Sequence, residues 1–290
     1  LSDPTAQDLL SEVKQRLTWS GLDQQEHIPV RAFANRSIVN RELIRPDSLA
    51  SQRQAEKLET AISERRRIQL ERYPSVASFP DSPSGSFRVW PLQLLFHNIA
   101  WYLVYEEDSV GREEGLIRTE RLDRLALRKQ ERGYRRSDET HAASIHRLER
   151  LLHLSGGIYF GDDLDAQLQL VTHGKGLLTL RFRCQPWCFA FIREGLQRYP
   201  TEHTRFSKPL AGDKWWHHPK APHVLNPGSD SDRHPYPVEL DLPRWTVERD
   251  VDLRNWLFGF GDGVCIESPA AMKDEHRAKA AAVMDLYPPC

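Results

Sequence analysis

Three arginines repeat at intervals of three residues in the middle of the chain, at Arg118, Arg121 and Arg124. The planar guanidinium fork of arginine pairs bidentately with carboxylate and phosphate oxygens, so this repeat is typical of a site for an anionic ligand. On an ideal strand the side chains alternate between faces, and Arg121 would face away from Arg118 and Arg124. All three converge only if a bulge interrupts the strand. A salt bridge between Arg121 and Asp123 is the structural alternative.

Two further candidate binding residues, His97 and Tyr102, precede the arginines. Tyr102 alternates with Trp101 and Leu103, and we expect these two to fill the core. Tyr102 then lies on the opposite face, where its ring can stack on a base or its hydroxyl can bind a ligand. His97, in the turn before the strand, would add a donor whose charge depends on pH. A purely structural role is the alternative for Tyr102.

The C-terminal half contains several histidines and cysteines, the residue types that most often bind zinc. The histidines follow two tryptophans in a polar segment and stand at His217, His218, His223 and His234. None of their spacings matches a known zinc pattern, so no metal site is predicted. Cys184 and Cys188 lack a second pair at ligand spacing and are expected to be buried packing residues.

Motifs for catalysis are absent or misplaced. Asp162, Asp163 and Asp165 could hold the divalent ion of a metal-dependent nuclease, although a capped turn is the favoured interpretation. The glycine motif Gly259–Gly263 resembles a nucleotide fingerprint, but it follows a predicted helix and precedes a strand, the reverse of the required order. The chain has no HExxH motif and no G-x-S-x-G nucleophile elbow. We therefore expect a protein that is not an enzyme and has no cofactor.

The net charge conceals strongly basic segments. The 290 residues carry a formal charge of −1, yet residues 112–136 contain nine bases and five acids. Residues 175–208 contain seven bases and two acids, whereas residues 228–285 contain twelve acids and seven bases. A phosphate polymer responds to such segments rather than to the sum. For Arg128–Arg136, however, the solvated face of a linker is the favoured interpretation.

The composition excludes several classes of protein. With 39% hydrophobic and 28% charged residues the chain is typical of a soluble globular protein. No apolar run approaches the ~20 residues that span a bilayer, so no membrane partner is expected. Four cysteines are too few for a disulfide framework, which indicates a reducing compartment and predicts a cytoplasmic protein. Because the chain begins with Leu1 rather than Met, we also expect that an upstream segment is missing.

The first half is predicted to contain helices followed by short strands. Asp3-Pro4 predicts the start of one helix, and a second is expected from Asp47 to Arg66. From Arg67 the hydrophobic period changes from 3.6 to 2, which predicts strands. These are expected at 67–73, at 87–90 with a stop at Pro91, at 101–105 and, as one or two strands, at 117–127. Short strands at this density predict a small β-barrel.

The second half is predicted to begin with a connector helix, Thr140–Leu154. Strands are then expected at 177–182, 204–206, 238–242 and 264–266, with helices that begin at Pro186, after Asp250 and after Ser268-Pro269. The order β-α-β-β-α-β followed by a helix is that of a ferredoxin-like α/β sandwich. The fold class expected for the whole chain is α+β.

The motif order of the first half resembles the WYL domain family. The tripeptide Trp101-Tyr-Leu103 follows a strand that ends in Tyr73 and another that ends at Pro91. It precedes the core Arg121-Leu-Asp-Arg124 of an arginine-bearing strand. The tripeptide alone is a weak signal, and its setting makes the resemblance specific.

The second half resembles the WCX domain that often follows WYL domains, through Trp256–Gly261 and the helix after Ser268-Pro269. Four regions are therefore expected: a helical N-terminal segment at 1–62, an Sm-like WYL barrel at 63–131, a connector at 132–172 and a WCX-like, ferredoxin-like domain at 173–290. A polar insertion, Pro209–Tyr236, departs from the family pattern. The first 62 residues show no convincing helix-turn-helix, so direct operator binding is not expected of this chain.

The resemblance implies a ligand-sensing regulator, often a homodimer, that binds nucleic acid or a nucleotide. Such a protein regulates transcription or a CRISPR or other phage-defence system. The ligand-binding residues would be Tyr73, His97, Tyr102, Arg118, Arg121 and Arg124. The alternative function is a non-catalytic structural or protein-interaction subunit of a defence complex.

Overall fold

The computed structural model describes residues 30–32, 47–73, 85–98, 100–109, 111–210, 223–229 and 231–287. The predicted helix at Asp3 and the cluster Trp215–His218 lie outside the described residues. None of the described helices is both long enough and apolar enough to cross a membrane.

The chain divides into two compact units, and each unit is formed by two separate stretches. The first unit comprises Leu1–Asp108 and Glu120–Ser137, and the second comprises Ser109–Thr119 and Asp138–Cys290. Strands and helices occur in both units, so the α+β class predicted from the sequence is confirmed.

A six-stranded sheet is the framework of the first unit. Its strands are β1 (Val30–Ala32), β2 (Arg66–Arg72), β3 (Ser86–His97), β4 (Ala100–Glu107), β5 (Ile117–Arg121) and β6 (Leu125–Arg135). The strand order is β5-β4-β3-β2-β6, and β1 runs parallel to the second half of β3. The boundary between the units falls within β5, after Thr119. Among the described strands no pairing joins β5 to β6, so the predicted closed barrel is not observed.

Strand β3 continues through Pro91, where the sequence predicted its end. Its pairing with β2 stops at Val89, so the missing N–H of Pro91 costs no hydrogen bond on that side. On the other side the register with β4 shifts between Pro91 and Gln93, an irregularity of the kind at which proline is tolerated. The strand therefore extends to His97 and is paired there by β1 and β4.

Helix α1 (Gln52–Ser63) lies within the predicted span and packs on this sheet. Leu58, Ala61 and Ile62 are buried and share one apolar core with residues of β2, β3 and β4. Their spacing of three and four residues places them on one helix face. Full burial of one such leucine contributes about 1.5–3 kcal/mol.

The second unit contains a five-stranded sheet. Its strands are β7 (Leu177–Cys184), β8 (Thr204–Ser207), β9 (His223–Leu225), β10 (Tyr236–Pro243) and β11 (Val264–Ser268). The strand order is β11-β7-β10-β8-β9, and all neighbours are antiparallel except β8 and β9. The sequence predicted four of these strands. The fifth, β9, lies within the insertion that was expected to be a loop.

Six helices of the second unit are described: α2 (Asp138–Ser155), α3 (Leu164–His173), α4 (Pro186–Gly195), α5 (Arg244–Arg249), α6 (Val251–Phe258) and α7 (Ala270–Leu286). The connector helix and the helices after Pro186, Asp250 and Pro269 agree with the sequence prediction. Helices α3 and α5 were not predicted. The apolar core joins the sheet to α4 and α6, with Phe189, Ile192 and Leu257 among its buried members.

Candidate anion-binding site

The three arginines of the sequence repeat do not share one strand. β5 ends at Arg121, and a 3-10 turn, Leu122–Arg124, leads directly into β6. Arg121 stands just before this turn and Arg124 ends it, and the turn brings the two arginines close to each other without a bulge. Burial lowers the pKa of Arg124, and the nearby charge of Arg121 lowers it further.

The buried carboxylate of Glu120 bonds residues at both ends of the turn. The side chain of Glu120 is 1% exposed and forms ion pairs with Arg72 of β2 and with Arg124, whose Nη1 lies 3.5 Å from Oε1. The same Oε1 accepts a hydrogen bond of 3.2 Å from the backbone N–H of Arg121. A charge is tolerated in a protein interior when it is paired in this way. Glu120 therefore holds both ends of the turn.

Arg121 is paired with a carboxylate of the turn itself. Its Nε donates to Oδ1 of Asp123 at 3.0 Å and its Nη2 donates to Oδ2 at 2.6 Å, a bidentate pair. These hydrogen bonds raise the pKa of Arg121 above its ordinary value, although partial burial opposes them. The salt bridge that the sequence left open as an alternative is thus formed within the site.

We refer to Arg72, Glu120, Arg121, Asp123 and Arg124 as the arginine cluster. Three guanidinium groups and two carboxylates leave it one net positive charge. The side chains of Arg121 and Arg124 are 26% and 19% exposed, so a ligand can reach both. The arrangement is suited to binding an anion at the surface of the sheet.

Tyr102 and His97 lie beside this cluster. Tyr102 is half-buried and close enough to both Arg121 and Arg124 to make a minor contribution to the pKa of each. The ring of His97, the last residue of β3 rather than part of the turn, meets the ring of Tyr102 edge-on at 6.2 Å. The cluster is therefore flanked by two aromatic rings on neighbouring strands.

Trp101 is not a core residue, and this prediction was wrong. The residue is 38% exposed, whereas Leu103 is fully buried as expected. Trp101 lies near the start of β4, next to the β3–β4 turn at Asn98, and so falls outside the apolar core. Its ring instead packs against Phe96 at 5.3 Å, an edge-on aromatic pair.

Tyr73 supports the turn through its backbone. Its N–H donates to the carbonyl oxygen of Arg124 at 3.1 Å, while its ring is buried and its hydroxyl donates to Asp47 at 2.8 Å. Ser48 also holds the turn, because its hydroxyl donates to the carbonyl oxygen of Leu122 at 3.1 Å. The structure thus places the hydroxyl of Tyr73 on Asp47 rather than in the arginine cluster.

Arg118 belongs to the second unit, whereas Arg121 and Arg124 belong to the first. Within the second unit it lies near Tyr159. Burial raises the pKa of Tyr159, and the charges of Arg249 and Arg118 oppose that effect. Arg118 is therefore associated with a different set of residues from the other two arginines.

The remaining candidates have separate structural partners. Asp163 caps helix α3, which agrees with the capped-turn interpretation, while Asp162 pairs with Arg249 and Asp165 with Arg112. Among the described residues no group of three His, Cys, Asp or Glu side chains is arranged to hold a metal ion.

The two cysteines behave as the sequence predicted. Cys184 and Cys188 are both fully buried in the core of the second unit. Burial raises the pKa of Cys184 well above its ordinary value.

Sequence reasoning missed Glu120 and Arg72. Both are charged residues at buried positions, and neither belongs to a recognisable motif. The only local signal is that Glu120 is the one acidic residue of strand β5. Its pairing with Arg72 joins residues 48 positions apart, which spacing along the chain cannot reveal.

Comparisons with known proteins assign no family. No protein-family model matches the chain, and no curated protein matches it. It is similar to the crystal structure of a CRISPR Cas-related protein, with a TM-score of 0.40 and 13% identity over 80% of this chain and 50% of that one. It is also similar to proteasome accessory factor B/C of Arthrobacter aurescens, with a TM-score of 0.30 and 18% identity over 83% of this chain and 28% of that one. The chain thus spans half or less of each of these proteins, and neither likeness establishes a function.

Proposed function

We propose that the chain is a ligand-sensing regulator of the WYL type, in which the arginine cluster, Tyr102 and His97 bind an anionic ligand. The ligand class is single-stranded nucleic acid or a nucleotide, because guanidinium groups bind phosphate and an adjacent aromatic ring can stack on a base. The proposal includes regulation of transcription or of a CRISPR or phage-defence system, and no catalytic step. The observation that carries it is the convergence of Arg121 and Arg124 beside Tyr102.

A bound phosphate would replace the carboxylate of Asp123 as the partner of Arg121. Its guanidinium fork already carries the carboxylate of Asp123, which occupies the donors that a phosphate would use. Asp123 is 45% exposed and can turn into water when a phosphate replaces it. Asp123 lies in the turn between β5 and β6. Its replacement by a phosphate would therefore change the conformation of the turn and of the two strands that the turn joins.

The test is the affinity of Arg121→Gln/Arg124→Gln protein for a fluorescein-labelled oligothymidylate, measured by anisotropy over a range of salt concentrations. We expect weaker binding and a smaller slope of log K against log salt, by about 0.7 for each phosphate that an arginine no longer binds. The matched control is Arg181→Gln/Arg244→Gln, which removes two exposed, acid-paired arginines of the second unit. Unchanged affinity and slope in the cluster variant would rule out this site.

A protein-interaction role in a defence complex is the second candidate. It is favoured by two large aromatic side chains that α4 exposes, Trp187 at 54% and Phe191 at 60%. Exposed aromatic residues are enriched at protein interfaces. Purification of the chain from its native host distinguishes the two roles: bound nucleic acid supports the first, and a stoichiometric protein partner supports the second. The predicted homodimer is part of the leading proposal and is tested by sedimentation.

A further inference from the structure

Strand β6 contains a large bulge opposite Arg67. Between the pairs Ile68–Gln130 and Arg66–Arg135, the single residue Arg67 of β2 stands against four residues of β6. β6 is the last strand in the order of its sheet, and a bulge on such a strand redirects side chains away from the regular alternation. The segment Arg128–Arg136, for which the sequence favoured the solvated face of a linker, therefore lies mostly in the last strand of the sheet and contains the bulge.

The bulge places the ring of Tyr134 on a fixed guanidinium group. The Cζ of Arg67 lies 3.7 Å from the ring centroid, while Tyr134 remains 56% exposed. Arg67 is held in turn by Glu131 and by Asp108, at 2.7 Å from its Nη1. Asp108 also accepts a hydrogen bond of 3.2 Å from Nε1 of Trp90. One face of Tyr134 is thus supported by a partly buried network, and the ring remains exposed to solvent.

Exposed arginines flank Tyr134 along β6. Arg132 and Arg135 form no ion pair with any residue in the described part of the chain. Arg88, 57% exposed, lies 3.3 Å from Glu131, whose other oxygen already binds Arg67. Glu131 and Asp108 are thus engaged by Arg67 and Arg88, whereas Arg132 and Arg135 add two exposed positive charges next to Tyr134 in the strand.

We propose that Tyr134 is a stacking platform for one base of a single-stranded nucleic acid, and that Arg132 and Arg135 bind its flanking phosphates. An exposed aromatic ring between cations is the arrangement by which proteins bind single strands without reading sequence. A single strand fits better than a duplex, because the faces of its bases are free to stack on a side chain.

This platform is separate from the arginine cluster. Tyr102 lies near the start of β4, whereas Asp108, which holds Arg67, follows the end of β4 six residues later. At about 3.3 Å per residue the two positions are roughly 20 Å apart along the strand. The inference shares its ligand class with the proposed function and none of its residues.

The first test uses Tyr134→Ala and Tyr134→Phe with a labelled oligothymidylate of about ten nucleotides, within the ~4–16 that a small single-strand-binding domain covers. We expect about tenfold weaker binding for Tyr134→Ala, and binding close to that of the unchanged protein for Tyr134→Phe, which keeps the ring. Equal affinity for Tyr134→Ala and the unchanged protein would overturn the platform.

The second test addresses the phosphate contacts. Arg132→Gln/Arg135→Gln is expected to reduce the slope of log K against log salt by about 1.4, since each contact to a single strand contributes about 0.7. Lys175→Gln, which removes an exposed cation of the second unit, is the control and should leave the slope unchanged. A double-arginine variant with an unaltered slope would refute the assignment of these residues.

Photocrosslinking gives a readout that does not depend on variants. An oligonucleotide that contains 4-thiothymidine is expected to crosslink to the peptide that carries Tyr134, and absence of that adduct counts against the platform.

The arginine cluster and the Tyr134 platform can be refuted independently of each other. Loss of binding in Arg121→Gln/Arg124→Gln alone, with Tyr134→Ala unaffected, sustains the proposed function and refutes the platform; the opposite result does the reverse.

Discussion

At the scale of single residues, the arginine cluster is a site in which the protein supplies its own anion. Asp123 satisfies the fork of Arg121 with two hydrogen bonds, although the pair is partly exposed to water. An exposed ion pair of this kind contributes only ~0.2–1 kcal/mol, so a phosphate that makes two equivalent bonds can displace it. Glu120, in contrast, is buried with two arginines and is not available for exchange. In the proposed mechanism the cluster thus combines one fixed carboxylate with one that the ligand would replace.

The change Asp123→Asn is expected to strengthen binding of an oligothymidylate. It keeps the shape of the side chain and removes the charge that competes for Arg121, so the affinity should rise about two- to fivefold. Glu248→Gln is the matched control, because it removes a charge from another exposed pair, that with Arg244, and adds the same unit of net charge. Anisotropy titrations measure both variants. An equal gain in the two would mean that net charge, not exchange at Arg121, is responsible.

The residues of the site were only partly predictable from the sequence. The types and spacing of Arg121 and Arg124 pointed to an anion site, and strand alternation placed Tyr102 on the face opposite Trp101 and Leu103, where it could contact a ligand. The same alternation assigned Trp101 to the core, which is wrong because the residue lies at the end of the sheet near the turn at Asn98. A period of two assigns a residue to a face of the sheet, but it does not show how far along the strand the apolar core extends.

At the scale of elements, most helices and strands follow from local patterns, and the exceptions are irregular. The strand β3 passes Pro91 because its partner strand has already ended there, a fact that is not local to the proline. The 3-10 turn Leu122–Arg124 contains no glycine or proline that would predict it, and the bulge of β6 contains a single glycine, Gly133. Both irregularities carry the side chains of the two proposed binding surfaces.

The N-cap residue of helix α6 makes the stability of the folded state depend on pH. Asp250 is its N-cap: Oδ1 accepts hydrogen bonds from the backbone N–H groups of Asp252 at 2.8 Å and Leu253 at 3.4 Å. The residue is only 4% exposed. Burial raises the pKa of Asp250 above its ordinary value, with the charge of Asp252 as a second cause. The folded state therefore holds this proton more tightly than the unfolded state does.

This linkage gives a prediction for Asp250→Asn. A raised native pKa contributes stability at pH values below that of the unfolded group, about 3.9, and the contribution is lost as the pH rises through the native value. Asn keeps an oxygen at the cap but does not titrate, so the Tm of the variant should rise relative to that of the unchanged protein as the pH increases from about 4 through the raised native pKa. Asp163→Asn, at the exposed cap of α3, is the control. A Tm difference that stays constant with pH would contradict the prediction.

At the scale of the whole molecule, the two units are not consecutive along the chain. The stretch Ser109–Thr119 belongs to the second unit although residues of the first unit precede and follow it. The sequence predicted four consecutive regions. Patterns along the chain cannot reveal that a short stretch inside one unit belongs to the other. Contacts between residues distant in sequence, which decide the division, leave no periodic signal.

Buried hydrogen bonds attach this stretch to the rest of the second unit. The side chain of Gln167 in α3 is fully buried and donates to the carbonyl oxygens of Ile117 at 2.8 Å and Phe160 at 2.9 Å. Its Oε1 accepts from the backbone N–H of Ile117 at 3.1 Å. The hydroxyl of Thr119 donates to the carbonyl oxygen of Ile158 at 2.7 Å. Gln167 thus pairs both backbone groups of Ile117, much as a neighbouring strand would.

The change Gln167→Met should therefore loosen the stretch 111–119 in the intact protein. Methionine fills a similar volume but leaves the buried N–H and carbonyl of Ile117 without the amide that bonds them, at a cost of ~1–3 kcal/mol. Amide hydrogen exchange in this stretch, followed by mass spectrometry, should accelerate by about five- to 150-fold. Gln169→Met, on the exposed face of the same helix, tests whether the loss of an amide alone has this effect and should leave exchange unchanged. Equal protection in the two variants would show that the stretch is held by its apolar contacts, with Ile117 fully buried, rather than by Gln167.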